Sequence, residues 1–230
     1  MKSIISLMVV LAVTAMAMMA FAEEPAKPAE PAKPLIQLSA GSAKIVGEPM
    51  VKEFPAMKAA TAMEKASSYT PEGGYTMDEK GLQKAYGSMM DGGFSKLMNW
   101  VHSTGTFPTG PAFALYYEDP TMTEPAKLTA KVAFPVSGDA KGNENVMIED
   151  IPAMTALTLS YEGSYEEGNN AWTTAMDWVK ANGYEWVGPP MEVYLKGPMD
   201  VKDSKQFLTE IRIPVKKAEV KAAEGGTPAK

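Results

Sequence analysis

The sequence predicts an α+β domain built from two βαββ units that are related by a pseudo-two-fold axis. Residues 94–120 align without a gap onto residues 172–198, so the chain holds two copies of one pattern. Each copy carries helix-spaced apolar residues followed by short segments of alternating polarity, which are typical of strands. Because each copy must bury its apolar face against the other, we expect one antiparallel sheet, with both helices on one face and a ligand cleft on the other.

Landmark residues recur at matching positions in the two copies. The aligned pairs are Phe94/Trp172, Trp100/Trp178, Gly105/Gly183, Gly110/Gly188 and Tyr116/Tyr194. The match continues at both ends, where residues 54–57 match 151–154 and residues 132–136 match 211–215. Repeat one therefore spans about 48–137, and repeat two spans about 145–215.

The second copy gives the clearer order of elements. Its opening strand covers about 145–161 and is interrupted at Pro152, because proline lacks the N–H that a strand needs for pairing. A helix follows near 166–182, and strands follow near 191–196 and 206–213. The helix carries an apolar stripe at i, i+3, i+4 and i+7, and Gly183 is placed to end it. The residues of that stripe are Trp172, Ala175, Met176 and Val179.

The first copy repeats this order with one difference in length. Its helix carries the stripe Phe94, Leu97, Met98 and Val101, and its strands are expected near 112–118 and 128–134. Extra residues, roughly 67–87, stand before this helix. Part of this segment has helical spacing, and we interpret the segment as surface decoration in preference to a lid over the cleft, because insertions in loops are usually tolerated.

The two ends of the chain have compositions unlike the folded body. Residues 1–22 read as a signal peptide, with Lys2, an apolar run and a small-x-small cleavage site at Ala20-Phe21-Ala22. We therefore expect a periplasmic or secreted protein with no stable membrane anchor after cleavage. The remaining segments are a Pro/Ala-rich linker at 23–34, a folded domain at 35–215 and a disordered tail at 216–230.

Composition excludes several classes of function. The formal net charge is −6, and Arg212 is the single arginine, so the chain lacks the clustered basic residues that bind nucleic acid. It has no cysteine, which removes disulfides, thiol catalysis and thiolate metal sites. His102 is the single histidine. We expect no cofactor and no metal.

Strand alternation selects a candidate binding residue. In residues 191–195 the apolar side chains alternate with Glu192 and Tyr194, and we expect the apolar set to meet the helices. Glu192 and Tyr194 would then share the open face with Tyr116, and Ala114 would stand opposite Glu192. A carboxylate among aromatic and small residues is suited to an organic cation, whose charge it meets while the rings contact the apolar body.

Other aromatic residues extend this candidate site, and one alternative competes with it. We expect Trp100 and Trp178 to wall the cleft, with Tyr161, Tyr165 and Trp186 as weaker contributors. In the alternative, Glu192 forms a cross-strand ion pair with Arg212 or Lys131, and the aromatic residues fill surface or core.

The second copy also resembles a known family. The segments Asn-Gly-Tyr, Gly-Pro-Pro-x-Glu-x-Tyr and Thr-Glu-Ile-x-Ile-Pro-Val resemble the GyrI-like small-molecule-binding domain, which is also the effector-binding domain of multidrug-responsive bacterial transcription activators. The similarity covers about residues 48–215. It implies a duplicated βαββ fold with a ligand cleft, in which the glutamate of the Glu-x-Tyr strand, here Glu192, contacts lipophilic cations. Some relatives are hydrolases. The signal peptide and the lack of a DNA-binding segment argue against transcription control here.

Three functions follow from these observations. The leading one is a non-enzymatic exported protein that binds a small, apolar, cationic organic molecule. The first alternative is a hydrolase of small reactive compounds with Glu192 as general acid or base and Tyr194 as its hydrogen-bonding partner. The second is a periplasmic protein-interaction module. No sequence motif marks a catalytic nucleophile.

Overall fold

The computed structural model describes residues 33–218, which form one sheet with two long helices. The elements, in chain order, are β1 Lys44–Phe54, β2 Met57–Lys65, α1 Glu79–Thr104, β3 Phe113–Tyr116, β4 Thr129–Pro135, β5 Met147–Ile151, β6 Met154–Glu162, α2 Asn169–Ala181, β7 Tyr184–Trp186, β8 Met191–Lys196 and β9 Leu208–Lys217. None of the helices within these residues is long and apolar enough to cross a membrane. The predicted signal peptide, and all of the linker and tail except residues 33–34 and 216–218, lie outside the described residues.

The strands pair antiparallel in the order β1-β6-β9-β8-β3-β4-β2-β5, and β7 pairs with the end of β9. Matching strands of the two copies lie at equal distances from opposite edges of the sheet. The matching pairs are β1 and β5, β6 and β2, β9 and β4, and β8 and β3. The predicted opening strand around Pro152 is two strands, because the proline separates β5 from β6. This break lets the copies exchange strands, so that β1 pairs with β6 and β5 pairs with β2. The predicted α+β fold is confirmed.

Both helices pack on the same side of the sheet. In α2 the buried residues are Ala171, Ala175 and Val179; the other two residues of the predicted stripe, Trp172 and Met176, are partly buried and pack against the same cluster. The extra residues of repeat one are partly helical and continue directly into the repeated helix, which makes α1 26 residues long. Asp78 caps its start by accepting a hydrogen bond from the N–H of Gly81, and Gly105 ends it in the left-handed conformation.

The opposite face of the sheet carries an apolar cluster of its own. Phe113 and Leu115 of β3 and Met191 and Val193 of β8 are buried there together, with the half-buried Met57 and Met154 packed against them, among others. The apolar positions of β8 therefore do not meet the helices. The prediction that Glu192 and Tyr194 lie on the face without helices is wrong.

Cross-strand register shows where these side chains point. Glu192 of β8 pairs with Ile211 of β9 and with Ala114 of β3, and directly paired residues lie on the same face. Ile211 is buried in the cluster that includes α2, and Ala114 is buried in the cluster that includes α1. Glu192 therefore lies on the helix side. Alternation misled the prediction because both faces of β8 are buried, so its apolar set does not identify the helix face.

Candidate ligand site

Glu192 lies near the centre of the sheet, between strands β3 and β9. Its residue surface is only 7% exposed. Ala114, the equivalent of Glu192 in the other copy, is also its direct partner in the register of β3 and β8. Because Ala114 has only a methyl group and is fully buried, it leaves room on the helix side for the carboxylate and its neighbours.

Three neutral side chains donate hydrogen bonds to this carboxylate. The hydroxyl of Tyr116 donates to Oε2 at 2.8 Å. The hydroxyl of Tyr161 donates to Oε1 at 3.0 Å, and the indole Nε1 of Trp172 donates to the same oxygen at 2.9 Å. These donors come from β3, β6 and α2, so elements of both copies converge on one side chain. They satisfy the acceptor oxygens without cancelling the charge.

No basic side chain of residues 33–218 forms an ion pair with Glu192, although two were candidates from the sequence. Arg212 lies on the other face of the sheet, where its Nε is 2.6 Å from a carboxylate oxygen of Glu210. Lys131 lies 2.7 Å from a carboxylate oxygen of Glu149. The predicted alternative, in which one of these bases neutralises Glu192, is therefore wrong. The sequence prediction had placed Glu192 on the same face as Arg212, whereas the register of β8 and β9 places them on opposite faces.

Burial dominates the protonation behaviour of the site. It raises the pKa of Glu192, and the hydrogen bonds from Tyr116, Trp172 and Tyr161 lower that pKa in part. Burial also raises the pKa of Tyr116 and Tyr194 well above the ordinary tyrosine value, and the nearby charge of Glu192 adds to the increase. The tyrosines therefore stay neutral donors. An ionised Glu192 is the only charge among them and is costly to bury.

Aromatic rings surround the carboxylate on the helix side. The hydroxyls of Tyr116 and Tyr194, which are partners in the repeat, lie 3.3 Å apart. Further rings pack edge-on against these two, with centroid separations between 5.3 and 6.1 Å. We define the aromatic cage as Glu192 with Tyr86, Phe94, Tyr116, Tyr161, Tyr165, Trp172 and Tyr194. The thioether of Met90 on α1 accepts from the Tyr194 hydroxyl at 3.8 Å.

The structure brings together five of the eight predicted site residues, namely Glu192, Tyr194, Tyr116, Tyr161 and Tyr165. Trp100 and Trp178 are elsewhere. Trp100 is fully buried, and its indole N–H donates to the carbonyl of Lys141. Trp178 stacks on Tyr184 at a centroid distance of 5.7 Å. The prediction that these two tryptophans wall a cleft around Glu192 does not agree with this geometry.

Helix geometry explains why other aromatic residues take that place. Trp172 and Trp178 are six residues apart, and at roughly 100° per residue they point in directions about 120° apart around the helix axis. The same holds for Phe94 and Trp100 on α1. Because Phe94 and Trp172 face the middle of the sheet, the later tryptophan in each helix cannot do so. The repeat alignment paired Phe94 with Trp172 and Trp100 with Trp178 alike, so the alignment alone did not select between the two pairs.

Two further residues of this region, Tyr86 and Met90, were absent from the sequence prediction. Tyr86 belongs to the extra residues of repeat one, and its ring packs edge-on against Tyr116 at 5.4 Å. Part of that segment therefore builds the wall of the cage and is more than decoration. Of the other weaker candidates from the sequence, Tyr165 packs edge-on against Tyr194 at 5.3 Å, whereas Trp186 is 50% exposed and is not part of the cage.

A surface groove of about 510 Å³ lies next to the cage. Tyr116 lines it together with Tyr117, Trp186 and the carboxylate residues Glu118 and Asp119, among others, but Glu192 is not part of its lining. The cage itself is closed over Glu192 by ring contacts. Among residues 33–218 no group of three acidic or histidine side chains is arranged to hold a metal ion. His102 is exposed in the last turn of α1.

Comparison with known proteins agrees with this fold. The family of GyrI-like small molecule binding domains matches residues 47–216. The chain is similar to the C-terminal domain of EcmrR in its crystal structure, with 24% identity and a TM-score of 0.60 over 74% of this chain and 98% of that chain. In a cryo-EM structure of EcmrR with DNA, the identity is 24% and the TM-score 0.57, over 74% of this chain and 58% of that chain.

A third similar structure is an uncharacterized conserved protein from Listeria innocua, with 12% identity and a TM-score of 0.51 over 74% of this chain and 92% of that chain. No curated protein sequence matches the chain. At these identities the structural similarities establish the fold and leave the ligand to be argued from the site.

Proposed function

We propose that this chain, which belongs to the family of GyrI-like small-molecule-binding domains, binds small lipophilic cations in the aromatic cage around Glu192. One observation carries the proposal. Glu192 is buried with three neutral hydrogen-bond donors and, within residues 33–218, no ion-pair partner. A buried carboxylate in this state is stabilised by any cation that reaches it.

The surrounding rings suit such a cation better than a neutral ligand. Aromatic faces attract a desolvated cation by about 0.5–2 kcal/mol for each favourable contact, and they bury its apolar groups at the same time. Tyr116, Trp172 and Tyr194 are only half-buried, so their outer edges reach the surface. Rotation of these side chains, together with movement of the helix side chains that pack on them, would open a path to Glu192 without unfolding a strand. The bound cation would then replace the indole donor as the partner of the carboxylate.

We also propose that the protein acts outside the cytoplasm. This part rests on the signal-peptide pattern of residues 1–22 alone. It predicts that the protein isolated from its native cell envelope or medium begins at Glu23. Intact-mass measurement of that material gives the answer directly, because retention of the apolar segment adds the mass of residues 1–22.

The binding proposal is tested by calorimetric titration with tetraphenylphosphonium and with the uncharged triphenylphosphine oxide. We expect the cation to bind more tightly than the neutral compound. Glu192→Gln keeps the side-chain shape and removes the charge, and we expect it to weaken cation binding by about 2 kcal/mol, roughly 30-fold, with little change for the neutral compound.

Glu64→Gln is the matched control, because Glu64 is also a buried glutamate on the helix side but is paired with Lys96. We expect this variant to retain the cation preference of the wild type. Equal affinity for the charged and neutral compounds, or unchanged cation binding in Glu192→Gln, would contradict the proposed function.

A further inference from the structure

A segment before the first strand crosses the starts of both helices. We name residues 35–43 the N-terminal strap; it lies outside residues 47–216, which the family matches. At one end the N–H groups of Leu35 and Ile36 donate to the carbonyl of Thr121, at 2.7 and 3.2 Å. At the other end the N–H groups of Ser42 and Ala43 donate to the carbonyl of Glu167, just before α2, at 3.0 and 3.1 Å.

The middle of the strap is tied to both helices through one carboxylate. Glu79 is the first residue of α1, and its Oε1 accepts hydrogen bonds from the N–H and the hydroxyl of Ser39 at 3.1 and 2.8 Å. The same oxygen accepts from Nδ2 of Asn169, the first residue of α2, at 3.0 Å. A carboxylate at two helix starts is favoured by the positive ends of both helix dipoles. Ser39 and Glu79 therefore join the first turn of α1 to the first turn of α2.

The strap is also part of the apolar packing beside the cage. Ile36 is 1% exposed and belongs to the cluster formed by the first half of α1. The cage residues Tyr86 and Tyr116, together with Met90, pack against that same cluster. Trp172, the fourth residue of α2, packs edge-on against Tyr116 at a centroid distance of 6.1 Å. Displacing the strap would therefore loosen packing on the α1 side and the tie to α2 together.

Gly41 fits the strap against α2 at a position that no other residue can take without a shift. Its φ is +77°, in the left-handed region. A Cβ atom there would lie 2.6 Å from the backbone N of Asn170 and 2.6 Å from the carbonyl oxygen of Glu167. Any side chain at this position would push the strap away from the start of α2.

We propose that the N-terminal strap clamps the starts of α1 and α2 together and thereby controls how fast a cation enters and leaves the aromatic cage. The inference rests on the proposed function for its ligand. Because Glu192 is only 7% exposed, a ligand reaches it only when the side chains from the two helices part. A clamp at the helix starts opposes that movement in both directions. It therefore slows association and dissociation together and changes the equilibrium affinity little.

The test compares two glycine substitutions that impose the same backbone strain. Gly41→Ala collides with α2, whereas Gly47→Ala, at φ +78°, meets nothing within 4 Å. Stopped-flow binding of tetraphenylphosphonium, followed by tryptophan fluorescence, gives both rate constants. We expect Gly41→Ala to raise each by about tenfold and Gly47→Ala to leave both near the wild-type values, where tenfold corresponds to 1.4 kcal/mol in the barrier. Ser39→Ala, which removes one tie without steric conflict, should have a smaller effect of the same sign.

Hydrogen exchange of the ligand-free protein gives a second, independent measurement. We expect Gly41→Ala to speed exchange in the strap and in the first turns of α1 and α2, and not in β3 or β8. Equal rate constants in the two glycine variants, or unchanged exchange at the helix starts, would overturn the strap proposal. A wild-type protein that binds no cation would instead overturn the proposed function, and hydrogen exchange would still show whether the strap clamps the helices.

Discussion

Two buried glutamates on the helix side of the sheet have opposite surroundings. Glu64 of β2 is 2% exposed and accepts hydrogen bonds from Nζ of Lys96 on α1 at 2.7 and 2.9 Å. The hydroxyl of Tyr69 donates to the same carboxylate at 2.6 Å. Glu192 of β8 accepts only from neutral groups. One carboxylate therefore has its cation within the fold, and the other does not.

This difference distinguishes a carboxylate that is paired within the fold from one that we propose pairs with a ligand cation. A buried ion pair needs both partners, and removing one leaves an uncompensated charge. Along the aligned copies Glu64 matches Tyr161, and Glu192 matches Ala114, so neither carboxylate has a counterpart in the other half. The near-symmetric sheet thus carries two unrelated glutamates. Only the one at the centre, where the aromatic residues of both halves meet, lacks a charge partner.

The largest effect should come from giving Glu192 the partner that Glu64 already has. Met90 on α1 lies beside the Tyr194 hydroxyl, and lysine has a similar length, so Met90→Lys would place an ammonium group in the aromatic cage. We expect tetraphenylphosphonium binding to weaken at least about 100-fold, or roughly 2.7 kcal/mol, because the cation site is filled from within. Calorimetry at neutral pH measures this loss.

Met98→Lys is the control, because Met98 is on the same helix and is exposed. It adds the same charge without reaching Glu192 and should change the affinity little. If both lysine variants weakened binding equally, general charge repulsion would explain the loss and the contrast between the two glutamates would fail.

The next effect concerns the stability of the ligand-free protein. Glu64→Gln leaves Lys96 without its carboxylate, and we expect a loss of about 1–3 kcal/mol in the free energy of unfolding, reduced from the fully buried case because Lys96 is over one-third exposed. Glu192→Gln removes an unpaired buried charge, and we expect stability equal to or above that of the wild type. Urea denaturation of the three proteins at pH 7 decides between these outcomes. A large loss in Glu192→Gln would show that its charge stabilises the fold.

The smallest effect is a dependence on pH that belongs to Glu192. Burial raises its pKa in the folded state, so the stability linked to this group is fully present below the ordinary glutamate pKa and is lost as pH rises through the raised value. We therefore expect the wild type to lose stability relative to Glu192→Gln as pH rises from 4.5 towards neutral. Cation affinity should change in the opposite direction, because protonation removes the charge. Denaturation and calorimetric titration of both proteins across this range measure the two effects. If the proposal were incorrect, the free energy of unfolding and the cation affinity would change with pH in the same way in both proteins.

Much of the fold could be predicted from local pattern. The bounds of β8 were predicted at residues 191–196 and agree with Met191–Lys196, and the helix predicted near 166–182 contains Asn169–Ala181. These elements follow from strand alternation, helical spacing and glycine positions, all of which act over a few residues. The equivalence of Glu192 and Ala114 in the two copies was also read from the sequence, and the structure adds that these two residues pair directly, because the matching strands β3 and β8 are neighbours.

The candidate site could be predicted only in part. The sequence selected Glu192, Tyr116, Tyr194 and Tyr161, yet it placed the first three on the wrong face and chose Trp178 instead of Trp172. Alternation shows which residues of a strand share a face, but it does not show which face meets the helices. Burial does not resolve this for β8, because both of its faces are buried. Trp178 was chosen wrongly because the direction in which each tryptophan projects from the helix axis was not compared with the direction of the sheet.

The sequence alone determined the pattern of strands and helices, the near-symmetry of the two halves and the presence of a single glutamate where the matching position has alanine. Its local signals suffice for these features because they depend on spacing and side-chain type. Only the tertiary structure decided that Lys96 reaches Glu64, that Arg212 and Lys131 face away from Glu192, and that the strap joins the helix starts. Those contacts join segments far apart in the chain, so whether a buried charge is paired depends on packing geometry that no local pattern contains.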